Sequence, residues 1–150
     1  MNEFIIVLGW LGIYGSMALG AIGSIIGCAL AGQAAIGAML ETEGGYGRYI
    51  GISVMPSSQV IYGIVIMFTL QREVTAINGG ALFSIGIMAG IVLLSSAIFQ
   101  GKTCASAINA AKAKPEIFGL SIAPAAIVEG FAVFAFVFAL VIAGDIPAGT

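Results

Sequence analysis

The sequence has few charged side chains and no histidine at all. Its 150 residues include five Lys or Arg and seven Asp or Glu, which makes 8% of the chain charged. A typical soluble domain has about 25%. Without histidine, and with only two cysteines, the chain has no Ser/His/Asp or Cys/His set for nucleophilic catalysis. A net charge of −2 without a basic patch gives no support for a nucleic-acid partner.

Apolar residues dominate instead, at 60% of the chain, with a mean hydropathy of +1.13. Turn-like or charged residues interrupt the apolar runs at ETEGGYGR (41–48), QREVTAIN (71–78) and KAKPE (112–116). Because a membrane span needs about 20 apolar residues, the sequence predicts an all-α membrane protein with four transmembrane helices. Their predicted ranges are 4–40, 49–70, 79–111 and 118–143.

The basic residues predict the orientation of these helices. They cluster near the first and third connections, whereas the second connection has a single arginine, Arg72, followed directly by Glu73. Cytoplasmic loops carry an excess of Lys and Arg, so residues 41–48 and 112–117 are predicted to be cytoplasmic. The basic residues on that side are Arg48, Lys102, Lys112 and Lys114.

The two halves of the chain look alike. The stretches VMPSSQVIYG and IAPAAIVEGF each place a proline early in a helix, and AGQAAIGA resembles QGKTCASAI in the helix before it. We therefore predict one membrane domain, residues 1–150, made of two duplicated helical hairpins at 4–72 and 79–144. In either alignment of the halves, an aliphatic residue, Ile61 or Val60, matches the acidic Glu129 of the second half.

Residue size divides the helices into two kinds. Glycines crowd the first and third helices, and Gly23, Gly27 and Ala31 recur every four residues, so one side of the first helix is nearly flat. If the glycine-rich helices line the inside of a curved assembly and the bulkier helices face lipid, the pattern predicts a ring of identical subunits. The alternative is that the small residues only pack a compact four-helix bundle. The bulky residues of the second and fourth helices are Tyr62, Met67, Phe68, Phe131, Phe134, Phe136 and Phe138.

A single glutamate, Glu129, stands within the apolar run SIAPAAIVEGFAVFAFVFALVI, residues 121–142. A carboxylate in the middle of a span costs about 2.5 to 3.5 kcal/mol, so it must be protonated, paired or bound to a cation. Glu129 lies thirteen residues beyond Glu116, the last residue of the KAKPE turn. At the helical rise this is roughly 20 Å into the membrane.

Other polar residues are predicted at the same depth as Glu129. Counting inward from the two cytoplasmic turns places Ser58, Gln59 and Gln100 in one layer with it, and Tyr62 lies on the same helical face as Ser58. Hydroxyl, amide and carboxylate oxygens with one negative charge suit Na⁺ better than a divalent ion. The alternative is that the amides and the hydroxyl only bond neighbouring helices while Glu129 carries a proton.

Pro56 is predicted to bend the second helix near this layer. A proline has no N–H, so the carbonyl of Ile52 loses its usual helical partner. A freed carbonyl can face an ion, but an ordinary kink that fits the curvature of the helix explains the proline equally well.

Three stretches resemble a known family: MPSSQVIYGIVIMF, SSAIFQGKTCASAINAAKAKPE and AAIVEGFAVFAF. They are similar to the duplicated-hairpin proteolipid, the K or c subunit, of V-type and A/V-type rotary ATPases and ATP synthases. The Pro-x-x-Gln-x-x-Tyr-Gly run, the Gln-Gly-Lys step and the lone glutamate of the fourth helix come in the family's order. The resemblance covers essentially the whole chain.

The resemblance implies a ring of identical subunits in lipid, which turns against a membrane stator with a cationic group, an arginine in the family. Central-stalk subunits would contact the cytoplasmic loops, and ATP chemistry would occur in a soluble head, so the chain would not be an enzyme by itself. The implied location is a prokaryotic plasma membrane. Rotation would follow from charge, since Glu129 passes lipid when neutralised and stops at the stator when it is an anion.

The resemblance also implies roles for individual residues. Glu129 matches the ion-carrying carboxylate, and Tyr62 matches the tyrosine that bonds it. In the sodium-translocating branch of the family, the ligands match the main-chain carbonyl of Met55 and the side chains of Ser58, Gln59, Gln100 and Glu129. Na⁺ is then the expected coupling ion, with H⁺ as the alternative. The competing function is a small multidrug or cation secondary transporter with an embedded glutamate.

Overall fold

The structure, a computed structural model, describes residues 1–147 of the chain. The regular elements within this range are all helical. The α-helices are α1 (Asn2–Leu40), α2 (Tyr46–Ser53), α3 (Ser58–Leu70), α4 (Gly79–Ala113), α5 (Phe118–Ser121) and α6 (Ala123–Ala143). Two short 3₁₀ turns, Met55–Ser57 and Pro115–Ile117, stand before α3 and α5. The predicted domain 1–150 extends to three residues outside the described ones.

These helices form four segments that are long and apolar enough to cross a membrane. The first span is α1 and the third is α4; the second span runs over Tyr46–Leu70 and the fourth over Pro115–Ala143. The prediction of an all-α membrane protein with four transmembrane helices is confirmed. The chain is an integral membrane protein.

The second and fourth spans begin three residues earlier than the sequence predicts. Gly45 adopts a left-handed conformation with φ of 76°, which turns the chain sharply enough for a helix to begin at Tyr46. Pro115 opens the fourth span as the first residue of a 3₁₀ turn, a position that needs no N–H donor.

Both of these spans are interrupted near a proline. In the second span the α-helix stops at Ser53 and resumes at Ser58, with Pro56 in the 3₁₀ turn between. The sequence predicts a continuous fourth helix, but Ile122 separates α5 from α6, and Pro124 lies in the first turn of α6. Pro124 has no N–H to donate to the carbonyl of Leu120, so the helical hydrogen-bond pattern is interrupted there although Ile122 keeps helical dihedral angles.

The two glycine-rich helices, α1 and α4, run parallel and contact each other through their backbones. A Cβ atom added at Gly86 would overlap the carbonyl of Gly12, and one added at Gly101 would overlap the backbone of Gly27. The flat side predicted on the first helix therefore faces α4. Such close approach lets many main-chain atoms pack together where no side chain intervenes.

The second and fourth spans lie outside this pair, with α3 packed on α1 and α4, and α6 packed on α4 and α3. Four of the bulky side chains of these two spans are largely exposed: Phe68, Phe131, Phe134 and Phe138. Three others are half-buried against the core: Tyr62, Met67 and Phe136. With 3.6 residues per turn, these side chains cannot all share one face of their helices.

Two hydrophobic clusters divide the core along the membrane normal. One contains Ile66 and Leu82, towards the connection at 71–78, and the other contains Ile52 and Ile108, towards the connections at 41–45 and 114. Two fully buried glutamines, Gln59 and Gln100, belong to neither cluster. The polar layer thus lies between two apolar layers.

Candidate functional site

Three helices contribute polar side chains to this layer. Gln59 is the second residue of α3, Gln100 lies in the middle of α4, and Glu129 lies in α6. Fourteen residues separate Glu129 from either end of the fourth span, Pro115–Ala143. The carboxylate is therefore at the centre of its span, about 20 Å from each end at the helical rise.

Gln59 joins the second span to α4. Its side-chain nitrogen Nε2 donates to the Oε1 atom of Gln100 at 2.8 Å and to the hydroxyl of Ser96 at 3.3 Å. Its oxygen Oε1 accepts a hydrogen bond from the Ser58 hydroxyl at 3.2 Å. Both halves of the amide are thus bonded, as a fully buried amide requires.

Glu129 is bonded through both of its carboxylate oxygens. The Tyr62 hydroxyl donates to Oε1 at 3.0 Å, and the Nε2 atom of Gln100 donates to Oε2 at 3.0 Å. Gln100 also donates to the carbonyl of Ala125 at 3.4 Å. The ring of Tyr62 stacks on Phe136 with 5.2 Å between centroids, which holds the hydroxyl towards the carboxylate.

The proline-interrupted turn of the second span supplies two further oxygens. The Ser58 hydroxyl shares its one proton between the main-chain carbonyl of Met55 and the Oε1 atom of Gln59, each at 3.2 Å. Met55 is the first residue of the 3₁₀ turn that contains Pro56, and its carbonyl also accepts the backbone N–H of Ser58. All six residues singled out in the sequence therefore lie in one connected network: Met55, Ser58, Gln59, Tyr62, Gln100 and Glu129.

Two residues of the network were not predicted from the sequence. The Ser96 hydroxyl accepts from Gln59 and donates to the carbonyl of Val128 at 3.0 Å. Phe136 backs the ring of Tyr62. Helical spacing could have identified both, because Ser96 lies four residues before Gln100 and Phe136 lies seven residues after Glu129, each on the same face as its partner.

The arrangement offers oxygens of the kind that bind an alkali cation. A carbonyl, a hydroxyl, two amides and one carboxylate supply hard ligands with a single negative charge. The amide nitrogens, however, point inward: Gln59 donates its nitrogen to Gln100, and Gln100 donates its nitrogen to Glu129. A cation bound between Gln100 and Glu129 requires the Gln100 amide to turn its oxygen towards the carboxylate.

Comparison with known proteins accounts for both halves of the chain. The family of the ATP synthase C subunit matches twice, over residues 11–70 and 83–142. The A-type ATP synthase subunit K of Methanocaldococcus jannaschii is 34% identical over 138 residues, and the match covers 89% of this chain and 62% of that relative. This chain thus matches less than two thirds of the length of that relative.

A second relative is matched over an equal share of both chains. The V-type sodium ATPase subunit K of Enterococcus hirae is 30% identical over 120 residues, 77% of each. The twofold family match is that of a duplicated-hairpin proteolipid, and it does not favour a small secondary transporter. The chain belongs to the family of the ATP synthase C subunit, with one copy of the family's hairpin in each half.

Proposed function

We propose that this chain is a rotor-ring subunit of an A/V-type rotary ATPase, in which Glu129 carries one Na⁺ ion across the membrane per passage of the stator. One observation carries the proposal most directly. A single carboxylate at the centre of a span is bonded by Tyr62 and Gln100 and connected through Gln100 to Gln59. A membrane glutamate with this many built-in partners is the kind of residue that marks an ion pathway.

The proposed ligands of the ion are the carbonyl of Met55 and the side chains of Ser58, Gln59, Gln100 and Glu129, with Tyr62 as a hydrogen-bond donor to the carboxylate. Their mutual hydrogen bonds support the set, since groups that bond one another can converge on one ion after small rotations. One relative is a V-type sodium ATPase subunit, which favours Na⁺ over H⁺. Carriage of H⁺ on Glu129 alone is the alternative coupling.

Coupling between transport and rotation follows from the charge of Glu129. With a cation or proton bound, the site is neutral and can face lipid at little cost. Once the ion leaves, the exposed anion is held by a cationic group on the stator until another ion binds. The chain therefore moves ions and turns, while ATP is made or hydrolysed by other subunits of the complex.

The same proposal includes the assembly and its surroundings. Identical subunits form a ring in lipid, with residues 1–150 as one membrane domain and with hairpins at 4–72 and 79–144. The connections 41–48 and 112–117 face the cytoplasm of a prokaryotic cell and contact the central stalk. The exposed phenylalanines of the outer helices support a lipid-facing or subunit-facing side.

Carbodiimide labelling of Glu129 tests the proposal. The reagent reacts with a protonated, accessible carboxyl group, so an ion bound at the site protects it. The purified ring is labelled over a range of pH with Na⁺, with K⁺ or without either, and mass spectrometry locates the modified residue. We expect protection by millimolar Na⁺ and none by K⁺.

The other outcomes are informative in different ways. Labelling that follows pH alone would identify a proton carrier and leave Gln59 and Gln100 with a packing role. A Glu129 that never reacts at any pH would contradict the ion-carrier assignment altogether. Sizing of the native protein separates the assemblies, because a large stable ring is expected of a rotor and a dimer would contradict it.

A further inference from the structure

Two buried serines, one in each hairpin, bond the backbone of the neighbouring span directly beside the site. In the first hairpin, the N–H of Val60 donates to the hydroxyl of Ser24 on α1 at 3.2 Å. In the second hairpin, the hydroxyl of Ser96 on α4 donates to the carbonyl of Val128 at 3.0 Å. Val60 and Val128 both lie four residues after the proline of their span, although the first bond uses an N–H group and the second a carbonyl.

The interruption before α3 explains why a serine is needed in the first hairpin. Val60 lies in the first turn of α3, where N–H groups have no acceptor within that helix. Water cannot satisfy such a group inside a membrane. The hydroxyl of Ser24 provides the acceptor from the neighbouring helix.

Close packing brings Ser24 to this position. A Cβ added at Gly20, one turn before Ser24, would lie 2.8 Å from the carbonyl oxygen of Gln59. The backbone of α1 therefore passes directly against the start of α3. Any shift of this contact displaces Gln59, because Val60 is the next residue of the chain.

The second serine acts on the carboxylate side of the network. Val128 directly precedes Glu129, so the bond from Ser96 to the Val128 carbonyl fixes the backbone beside the carboxylate. The same hydroxyl accepts a hydrogen bond from the side chain of Gln59 at 3.3 Å. Ser96 thus touches both the second and the fourth span at the level of the site.

We propose that Ser24 and Ser96 are positioning residues, which hold the backbone beside Gln59 and beside Glu129 so that the two side chains meet at one ion. Neither serine needs to touch the ion. The inference rests on the proposed function, because it assigns the serines to the same site. In each hairpin, one serine hydrogen bond would thus align a span that is interrupted by proline.

The test compares Ser24→Ala and Ser96→Ala with two control variants in the purified full-length ring. Ser121→Ala removes another interhelical serine bond, from the half-buried Ser121 to the Ala107 carbonyl of α4 at 3.4 Å, away from Gln59, Tyr62 and Glu129. Ser95→Ala removes an exposed serine that only bonds its own helix, at Ile91. The measurement is the Na⁺ concentration that halves carbodiimide labelling of Glu129.

We expect this concentration to rise roughly 3- to 10-fold in Ser24→Ala and Ser96→Ala, the factor that corresponds to the loss of one hydrogen bond. Both controls should stay close to the wild type. An equal rise in Ser121→Ala would reduce the two serines to general packing, and no rise in either test variant would overturn the inference.

Failure of the proposed function is distinguishable from failure of this inference. If Na⁺ does not protect even the wild type, the sodium assignment fails. The positioning role of Ser24 and Ser96 is then tested by the rate at which carbodiimide labels Glu129 without Na⁺. Faster labelling in both test variants supports positioning, and unchanged rates contradict it. If an alanine variant does not assemble into a ring, serine is replaced by cysteine, which has nearly the same volume and forms a weaker hydrogen bond. We expect the same rise in the Na⁺ concentration for half-protection. The absence of a rise would contradict the inference.

Discussion

At the scale of single residues, Glu129 depends on two donors from two different helices. Tyr62 reaches it from α3 and Gln100 from α4, each at 3.0 Å. Each carboxylate oxygen can accept more than one bond, so a donor on each leaves room for a further partner. The Gln100 oxygen could join Glu129 at a cation only if the amide turned, since its nitrogen now faces the carboxylate.

Replacement of Glu129 by glutamine should remove ion coupling while leaving the volume of the side chain nearly unchanged. An amide carries no charge, so it neither binds a cation tightly nor interacts with a cationic stator group. We expect ATP-driven Na⁺ uptake by the reconstituted complex to fall to background in Glu129→Gln. Glu3→Gln, at an exposed glutamate in the first turn of α1, is the control and should transport normally. Normal pumping by Glu129→Gln would refute the assignment.

Replacement of Tyr62 by phenylalanine isolates the hydroxyl. The ring keeps its stacking on Phe136, whereas the hydrogen bond to Glu129 is lost. A bond to a charged group contributes about 1.5 to 3 kcal/mol, so the Na⁺ concentration for half-protection should rise roughly tenfold or more. Tyr14→Phe, at an exposed tyrosine of α1, should have no effect. Equal affinities in the two variants would show that the hydroxyl plays no part in binding.

At the scale of secondary structure, the glycines of α1 and α4 differ sharply in what surrounds them. Gly86 contacts the backbone of Gly12, but Gly32 has open space where a side chain would begin. Helix packing therefore depends less on the number of glycines in a helix than on which of them face the neighbouring helix. Only those at the α1–α4 contact allow the two backbones to approach.

Gly86→Ala should destabilise the protein by about 1 to 3 kcal/mol, because the added methyl group overlaps the Gly12 carbonyl and forces the helices apart. Gly32→Ala is the matched control and should not lower stability, since it places the same methyl group in open space. Thermal unfolding of the two variants in detergent measures the difference. If the unfolding temperature fell equally in both variants, the contact between α1 and α4 would not be the cause of the destabilisation.

At the scale of the whole molecule, the two hairpins are tied together at both ends. Near the connection at 71–78, Arg72 donates to the carbonyls of Thr69, Ala143 and Ile146, and so joins the ends of α3 and α6. A cation at the ends of two helices also complements their dipoles. At the other end, Lys112 pairs with Glu41 at 2.9 Å, an exposed ion pair that contributes little to stability.

Arg72→Gln should loosen the contact between the outer helices. A glutamine has neither the charge nor the reach to bond three carbonyls on two elements, so we expect a loss of about 2 kcal/mol in unfolding free energy. Lys112→Gln, which breaks the exposed pair, should change stability far less. Denaturant or thermal unfolding of both variants decides the matter. A larger loss in Lys112→Gln would reverse our view of which end joins the hairpins.

The sequence by itself determined the four spans, their approximate ends and the depth of the polar residues. Apolar length identifies a span, and counting along a helix of known rise places each residue at a depth. Ser58, Gln59, Gln100 and Glu129 were therefore predicted in one layer before any contact was known. Tyr62 followed from helical spacing to Ser58, and the role of the Met55 carbonyl came only from the family resemblance.

Only the tertiary structure decided which atoms of that layer meet. In helices that are apolar on every side, the sequence has little periodicity to show how each helix is rotated about its axis. Rotation decides that the Gln100 side chain faces Glu129, that Phe136 lies on Tyr62 rather than facing outward, and that Ser24 and Ser96 reach the backbones beside the site. The physical reason is that depth follows from position along one helix, whereas rotation follows from packing between helices.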